Sequence, residues 1–166
     1  MPPRRVLFVC YANYCRSPLA EGIFAHLVQQ RGLHGQIEVD SAGVDALTGR
    51  APHPHSVAAA ERRGVALSGR ARQLIRDDFF NFDDVLVMDR AVLREIQRLL
   101  TPSAFGPTPT MRARVRLFGE LVHPSGRGPQ LDVPDPVSGG PAGFDAVCEL
   151  LWRGCERLLE QHRRDP

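Results

Sequence analysis

Several features are scarce or missing in the 166-residue chain, and most of these absences exclude a class of function. No lysine occurs, so all 21 basic residues are arginine; we attribute this to genome composition. No apolar run approaches the roughly 20 residues that cross a membrane. The net charge is only +2, which does not indicate nucleic acid as a partner. The cysteines form no C-x-x-C pair, so zinc and thioredoxin-type sites lack support; they are Cys10, Cys15, Cys148 and Cys155.

Length and composition predict one domain that spans residues 1–166. A hydrophobic content of 43% and a charged content of 24% are ordinary for a globular protein of this size. Only four apolar residues, Val6–Val9, precede Cys10, fewer than a signal-peptide core contains. We therefore expect a cytoplasmic protein without a membrane partner.

The most informative stretch combines a strand, a loop and a helix start near the N-terminus. Val6–Val9 predict a buried strand. Ser17 and Pro18 predict a helix, with Ser17 as N-cap and Pro18 at the first helical position. Cys10 opens the loop between them and Arg16 closes it. Such a loop directs several backbone N–H groups to one point, and the helix dipole adds positive potential there.

This loop has the parts needed to hydrolyse a phosphate ester. Its N–H groups suit a tetrahedral oxyanion, and the guanidinium of Arg16 can clamp two of its oxygens. The same field favours the thiolate of Cys10, which can attack phosphorus in line. The alternative is an inert buried cysteine with a surface arginine, but the flanking strand and helix signals favour catalysis.

A phosphate ester also needs a general acid to protonate its leaving group. Asp135 is the best choice, because Pro134 and Pro136 stiffen its segment and favour an extended backbone. Asp132 is a local alternative. Asp89 follows a predicted strand, where it can face the site or cap the next helix.

Strands alternate with helices along the chain, which predicts a parallel α/β sheet with helices on both faces. Ligands of such sheets bind at the carboxyl ends of the strands, where Cys10 lies. Residues 101–110 and 119–140 are predicted as loops. The predicted strands are 6–9, 37–40, 84–88 and 114–118, and the predicted helical segments are 17–31, 56–63, 70–74, 90–100 and 141–162.

A set of motifs over nearly the whole chain resembles the low-molecular-weight protein tyrosine phosphatases. They are Cys-x5-Arg-Ser-Pro with Asn13 in the loop, Asp40–Gly43, Arg70–Gln73, Val87–Arg90, Arg116–Gly119 and Val133–Pro136. The resemblance implies a single-domain three-layer α/β/α fold, flavodoxin-like or phosphotyrosine phosphatase I-like, with a four-stranded parallel sheet. It implies a protein-tyrosine phosphatase that forms a phosphocysteine on Cys10. Arg16 would bind phosphate and Asp135 would act as general acid and base, without a metal or cofactor.

The resemblance also implies supporting roles. Ser17 would donate a hydrogen bond to the Cys10 sulfur, and Asn13 and Ser41 would hold the loop in shape. Cys15 would form a reversible disulfide with Cys10 that prevents over-oxidation. The remaining phosphate-binding positions are Tyr11, Ala12 and Tyr14. The implied substrate is a phosphotyrosine protein or another phosphomonoester, and analogy with bacterial members suggests a tyrosine kinase as partner.

The sequence departs from the family pattern at the loop support and at the substrate walls. Ala12 replaces the usual glycine, and Gly69 replaces a frequent histidine, so we expect one supporting hydrogen bond to be missing. Leu47 and Val137 stand where aromatic side chains would sandwich a phosphotyrosine ring. We hypothesise that Tyr14 faces the cleft and compensates; the alternative is that it packs against the protein. A bulky Tyr14 argues against phosphoarginine, for which relatives carry a small threonine.

Two other functions are compatible with such a loop. A thioredoxin-coupled arsenate reductase needs relay cysteines near mid-chain, and residues 84–100 contain none. Cys148 and Cys155 are seven positions apart on a predicted helix with apolar neighbours, which is typical of a core face. A non-catalytic phosphate-binding module is allowed by the altered loop support, although the proposed catalytic residues are all present.

Overall fold

The computed structural model describes residues 1–102 and 110–164. The strands are β1 (Arg4–Cys10), β2 (Ile37–Gly43), β3 (Asp84–Val87) and β4 (Arg114–Leu117). The helices are α1 (Arg16–Gln30), α2 (Pro54–Glu61), α3 (Asp78–Asn81), α4 (Arg90–Leu100), α5 (Gly119–Val122) and α6 (Pro141–Arg164). A short 3₁₀ turn covers Gly128–Leu131. Within the described ranges, no helix has the length and apolar character of a membrane span.

The four strands form one parallel sheet in the order β2-β1-β3-β4, which confirms the predicted fold class. From β1 the chain goes to β2 on one side and later to β3 and β4 on the other. The strand order therefore reverses at β1, and such a reversal opens a crevice at the carboxyl ends of the strands. Cys10 is the last residue of β1 and lies at this crevice.

The sheet is covered on both faces, because alternate residues of β1 belong to two different cores. Val6 and Phe8 pack on the side of α1 and α6, and the ring of Phe8 meets that of Phe24 edge-on at 5.7 Å. Leu7 and Val9 pack on the side of α3 and α4. The helix layers on either face complete the three-layer α/β/α arrangement.

A buried ionic group ties the amino-terminal end of the sheet to α6. Asp84, which is fully buried, accepts hydrogen bonds from Arg4 Nε at 2.9 Å and pairs with His162 Nε2 at 3.1 Å. Burial alone would raise the pKa of Asp84, but the bonds from His162 and Arg4 lower it below its usual value. This end of the sheet is thus held by a carboxylate.

The predicted helical segment at 70–74 is wrong. Its backbone is extended and lies against the end of β2: Gly43 N donates to Arg72 O at 3.0 Å and Leu74 N donates to Gly43 O at 2.8 Å. Ala, Arg, Gln and Leu favour helix locally, but pairing with the sheet edge overrides that preference. The segment therefore lies beside the phosphate loop.

Other differences concern short elements and boundaries. The predicted loop at 119–140 contains α5 and the 3₁₀ turn, and α3 was not predicted. Helices of four residues are too short to show a hydrophobic period. α2 begins at Pro54, two residues before the predicted start, and the His53 ring caps it by accepting from His55 N at 3.0 Å. Part of the predicted loop at 101–110, residues 103–109, lies outside the described residues.

Candidate active site

The loop between β1 and α1 lines a cleft of about 180 Å³ at the carboxyl end of the sheet. Cys10 lies in it with only 3% of its surface exposed. The lining residues were all among the predicted site residues; they are Cys10, Tyr11, Ala12, Tyr14, Cys15, Arg16, Leu47, Asp135 and Val137. Segments more than 120 positions apart in the sequence thus meet at one cleft.

Neighbouring segments bind most of the carbonyl groups of this loop from outside. Val44 N, Asp45 N and Leu47 N donate to the carbonyls of residues 10, 11 and 12 at 3.2, 2.9 and 3.0 Å. His53 N donates to Tyr14 O at 2.9 Å. Ser56 Oγ donates to Cys15 O at 3.1 Å. Because the C=O and N–H of a trans peptide point in opposite directions, these bonds turn the following N–H groups towards the cleft.

Asn13 fixes the curvature of the loop. Its φ of 51° is left-handed, a conformation that Asn tolerates better than most residues. Its Nδ2 donates to Ser17 Oγ at 2.8 Å and to Ser41 Oγ at 2.9 Å. Its Oδ1 accepts from Arg72 N at 2.9 Å. Asn13 therefore joins the loop to α1, to β2 and to the extended segment at 70–74.

Gly43 lies directly beneath the loop backbone. A Cβ at this position would stand 2.6 Å from Asn13 N, 2.7 Å from Tyr11 O and 2.8 Å from Ala12 C. These are backbone atoms that cannot rotate aside. The loop can take its shape only because residue 43 has no side chain.

The prediction that Ser17 caps α1 is wrong. The helix begins at Arg16, and Cys15 holds the cap position without a side-chain bond to the first turn in the described part of the chain. The Ser17 hydroxyl instead lies 2.9 Å from Cys10 Sγ while accepting from Asn13. Since no capping side chain among the described residues accepts from the first turn of α1, its N–H groups are available to a bound anion.

Arg16 is almost fully buried, and its guanidinium is held from α4 and from the segment before Asp135. Its Nη1 donates to Asp89 Oδ2 at 2.6 Å and to Val133 O at 2.9 Å. Its Nη2 lies 3.6 Å from Asp135 Oδ2. Asp89 also accepts from Val92 N at 2.8 Å through Oδ1, so it both caps α4 and faces the site.

Asp135 and its rival Asp132 occupy different surroundings. Asp135 lines the cleft with 45% of its side chain exposed, and its Oδ1 accepts from Val137 N at 3.1 Å. Asp132 lies outside the cleft lining and is bound by Arg90. Partial burial opposes ionisation of Asp132, but the bonds from Arg90 give it a lowered pKa. An aspartate stabilised as carboxylate is a poor proton donor, so the geometry favours Asp135.

Tyrosines form part of the cleft walls. Tyr14 lines the cleft and also packs edge-on against His53 at 5.0 Å, so its ring faces the cleft and contacts the protein at once. His53 in turn stacks on Phe144 at 4.6 Å. This support was missed, because a histidine in a Pro-rich loop gives no signal of its partner. Tyr11 is half exposed, and its hydroxyl donates to Asp45 at 3.2 Å, which raises the pKa of Tyr11.

The hydrogen bonds that support the phosphate loop run from Asn13 through Ser41 to a carboxylate, Glu21, which the sequence did not suggest. The Ser41 hydroxyl donates to Glu21 on α1, and burial raises the pKa of Glu21. Gly69, where a histidine was expected in the family, has a φ of 88° and no described atom within 4 Å of where its Cβ would be. Glu21 therefore serves as the outer partner of Ser41 in this chain.

The remaining cysteines are buried thiols. Burial, together with the charges of Asp135 and Cys10, raises the pKa of Cys15 to about 12. Cys148 and Cys155 lie in the core on α6, as predicted, and their Sγ atoms lie 3.8 Å from the carbonyls of Ala59 and Ala20. Burial raises the pKa of both thiols. They are 2% and 0% exposed, which does not suit a relay to a surface partner.

Comparison with known proteins identifies the family. The family model described as low molecular weight phosphotyrosine protein phosphatase matches residues 5–166. A pig protein of that name is 34% identical over 161 residues, and YfkJ, a low molecular weight protein-tyrosine-phosphatase of Bacillus subtilis, is 36% identical over 162; each comparison covers 96% of both chains.

Solved structures agree with this result. The crystal structure of YfkJ has a TM-score of 0.83 at 33% identity, covering 99% of this chain and 98% of that one. The Drosophila arginine phosphatase has a TM-score of 0.84 at 31% identity, covering 97% and 99%. The chain therefore belongs to the low-molecular-weight phosphotyrosine protein phosphatase family and is a protein-tyrosine phosphatase.

Proposed function

We propose that Cys10, Arg16 and Asp135 hydrolyse a phosphate monoester through a phosphocysteine. The Cys10 thiolate attacks phosphorus, the bond to the leaving oxygen breaks, and Asp135 gives that oxygen a proton. Water then attacks the phosphocysteine and gives a proton to Asp135, while Sγ leaves with the electron pair as thiolate. The products are the free alcohol or phenol and inorganic phosphate.

The observation that carries this proposal is the position of Cys10 within its loop. The outer bonds to the loop carbonyls turn N–H groups towards the cleft above Sγ, where they can bind the phosphate oxygens. Asn13 donates to the Ser17 oxygen, and the Ser17 proton has two acceptors in reach, Cys10 Sγ at 2.9 Å and Ala42 O at 3.4 Å. In the proposed mechanism it is donated to the nearer acceptor, the sulfur. That bond stabilises the thiolate both as attacking group and as leaving group.

Arg16 is suited to bind phosphate because its position is set before substrate arrives. Asp89 and Val133 O fix one edge of the guanidinium. The other edge, Nη2, is directed to the side where Asp135 stands. A bound phosphate can thus be clamped by the guanidinium with little loss of side-chain entropy.

The substrate we propose is a phosphotyrosine protein. Tyr11 and Tyr14 supply aromatic contact, and Leu47 and Val137 complete apolar walls in place of further aromatic rings. One structural neighbour is an arginine phosphatase, but the bulk of Tyr14, held by His53, supports tyrosine over arginine here. By analogy within the family, the partner is a bacterial tyrosine kinase. We place the protein, as one domain over residues 1–166, in the cytoplasm, where thiols stay reduced.

The test is hydrolysis of p-nitrophenyl phosphate by wild type, Cys10→Ser and Asp135→Asn, in reductant and without added metal. We expect wild-type turnover, no turnover with Cys10→Ser, and a loss of about 100-fold with Asp135→Asn. Vanadate binding without any wild-type turnover would overturn the proposal in favour of a binding module. Arsenate-dependent oxidation of thioredoxin would overturn it in favour of a reductase.

A further inference from the structure

Two consecutive residues at the start of α4 reach to different parts of the site. Asp89 binds Arg16 of the phosphate loop at 2.6 Å. The next residue, Arg90, binds Asp132 through three nitrogens: its backbone N at 2.8 Å, Nε at 3.1 and 3.2 Å, and Nη2 at 2.9 Å. Asp132 thus accepts a side-on guanidinium and a backbone N–H from one residue.

The segment from Asp132 to Asp135 has few free torsions. Val133 N donates to Met88 O at 2.8 Å, and Val133 O accepts from Arg16 at 2.9 Å. Prolines at 134 and 136 fix φ on both sides of Asp135. Pro136 is buried, and from Val137, which is 50% exposed, the chain runs in solvent. The hydrogen bonds that anchor this segment therefore lie at its Asp132–Val133 end, where Arg90 binds Asp132.

We propose that Arg90 is a positioning residue that sets the place of Asp135 through Asp132. This inference rests on the proposed role of Asp135 as general acid. The pair is not primarily a stabilising one, since the side chains of Arg90 and Asp132 are 42% and 29% exposed and such pairs add little stability. Catalysis is more sensitive, because an error of about 1 Å in the position of an acid costs up to 100-fold.

The ion pair between Arg90 and Asp132 keeps both charges at neutral pH. The bonds from Arg90 outweigh partial burial and lower the pKa of Asp132, so Asp132 stays a carboxylate while Arg90 stays charged. The other charged groups that face the pair are Asp89, the N-cap of α4, which is engaged with Arg16, and Arg94, one turn into α4. Neither replaces the contact between Arg90 and Asp132.

The test compares leaving groups, because only a poor leaving group needs the acid. Phenol, with a pKa of about 10, must be protonated as it leaves, whereas 2,4-dinitrophenolate leaves unaided. We expect Arg90→Gln to lower kcat/KM about tenfold for phenyl phosphate and less than twofold for 2,4-dinitrophenyl phosphate. kcat/KM is used because it covers the steps through phenol release. Arg90→Lys should recover part of the loss.

The matched control is Arg98→Gln, the same change two turns later on α4, where Arg98 pairs with Glu95 and with no other carboxylate among the described residues. Arg98→Gln should leave kcat/KM unchanged for both substrates. In the Asp135→Asn background, Arg90→Gln should cost nothing further, because an effect that passes through Asp135 cannot be lost twice.

The outcomes separate the two proposals. If Asp135→Asn shows no dependence on leaving group, the role of Asp135 itself is wrong. If the loss with Asp135→Asn depends on the leaving group and the loss with Arg90→Gln does not, Arg90 is not a positioning residue for Asp135. The same conclusion follows if the losses in kcat/KM of the two variants add in the double variant. Equal losses on both substrates with Arg90→Gln would also overturn the inference, since they indicate general damage to the loop.

Discussion

Substitutions of Asn13 can separate the effect of backbone conformation from the effect of hydrogen bonding on the stability of the phosphate loop. Two variants differ only in a Cβ: Asn13→Gly and Asn13→Ala. Both lose the buried bonds to Ser17 and Ser41 and the partly buried bond from Arg72 N. Only alanine must also adopt the left-handed φ of 51° with a side chain that gains nothing there.

The expected magnitudes follow from these contacts. Three hydrogen bonds, two of them buried, at about 1 kcal/mol each give a loss of about 3 kcal/mol for both variants. The left-handed backbone adds about 1–2 kcal/mol for alanine and almost nothing for glycine. We therefore expect glycine to be more stable than alanine by about 1 kcal/mol, against the usual preference for alanine over glycine.

Equilibrium urea unfolding measures the free energy of unfolding of each variant against wild type and against the other variant. The slope of each transition is compared with that of wild type. kcat/KM for p-nitrophenyl phosphate should fall in both variants, since the N–H groups lose their alignment. An alanine variant as stable as the glycine variant, or more so, would refute the reasoning. It would mean that the loop in solution does not keep residue 13 left-handed.

Three further predictions concern charge, redox chemistry and substrate contact. Asp84→Asn should lower the free energy of unfolding in urea by about 3 kcal/mol at pH 7. Because the pKa of Asp84 is lowered on folding, its stabilisation is present above the unfolded pKa of about 4 and is lost as pH falls; a deficit equal at pH 7 and pH 3 contradicts this. Mild peroxide should oxidise the Cys10 thiolate to a sulfenic acid; Cys15 then attacks the Cys10 sulfur, hydroxide leaves, and the products are a disulfide and water. Mass spectrometry that finds sulfinic acid at Cys10 with Cys15 untouched contradicts it. Tyr14→Ala should lower kcat/KM for a phosphotyrosine peptide about fivefold relative to glycerol phosphate, and an unchanged ratio removes the aromatic contact.

The fold could be predicted where local sequence and tertiary environment agree. Val6–Val9 and the apolar run after Asp84 are buried on both faces of a parallel sheet, so their continuous hydrophobicity predicted strands correctly. Segment 70–74 has helix-forming residues, yet it pairs with the end of β2. A local pattern does not show that a sheet edge is available nearby.

The residues of the candidate site also divide into those that could be predicted from the sequence and those that could not. Cys10, Arg16 and Asn13 could be placed from one loop, because their chemistry depends on near neighbours in the sequence. Glu21 and Arg90 could not, since each acts on a residue that only the folded topology brings close. Ser17 shows the limit of a correct motif: Ser-Pro is typical of a helix cap, but the buried sulfur and the Asn13 amide engage its hydroxyl instead.

The close contact between Gly43 and the backbone of the phosphate loop limits which positions of this enzyme can change in evolution. The loop backbone rests on Gly43, so its shape does not depend on the side chains of Tyr11 and Tyr14, which are free to change with a new substrate. A mutation at Gly43 acts in the opposite sense, since it would abolish the chemistry while every residue of the loop stayed intact. Substitutions at the cleft walls can therefore change the substrate during evolution, whereas phosphate chemistry requires that position 43 remain glycine.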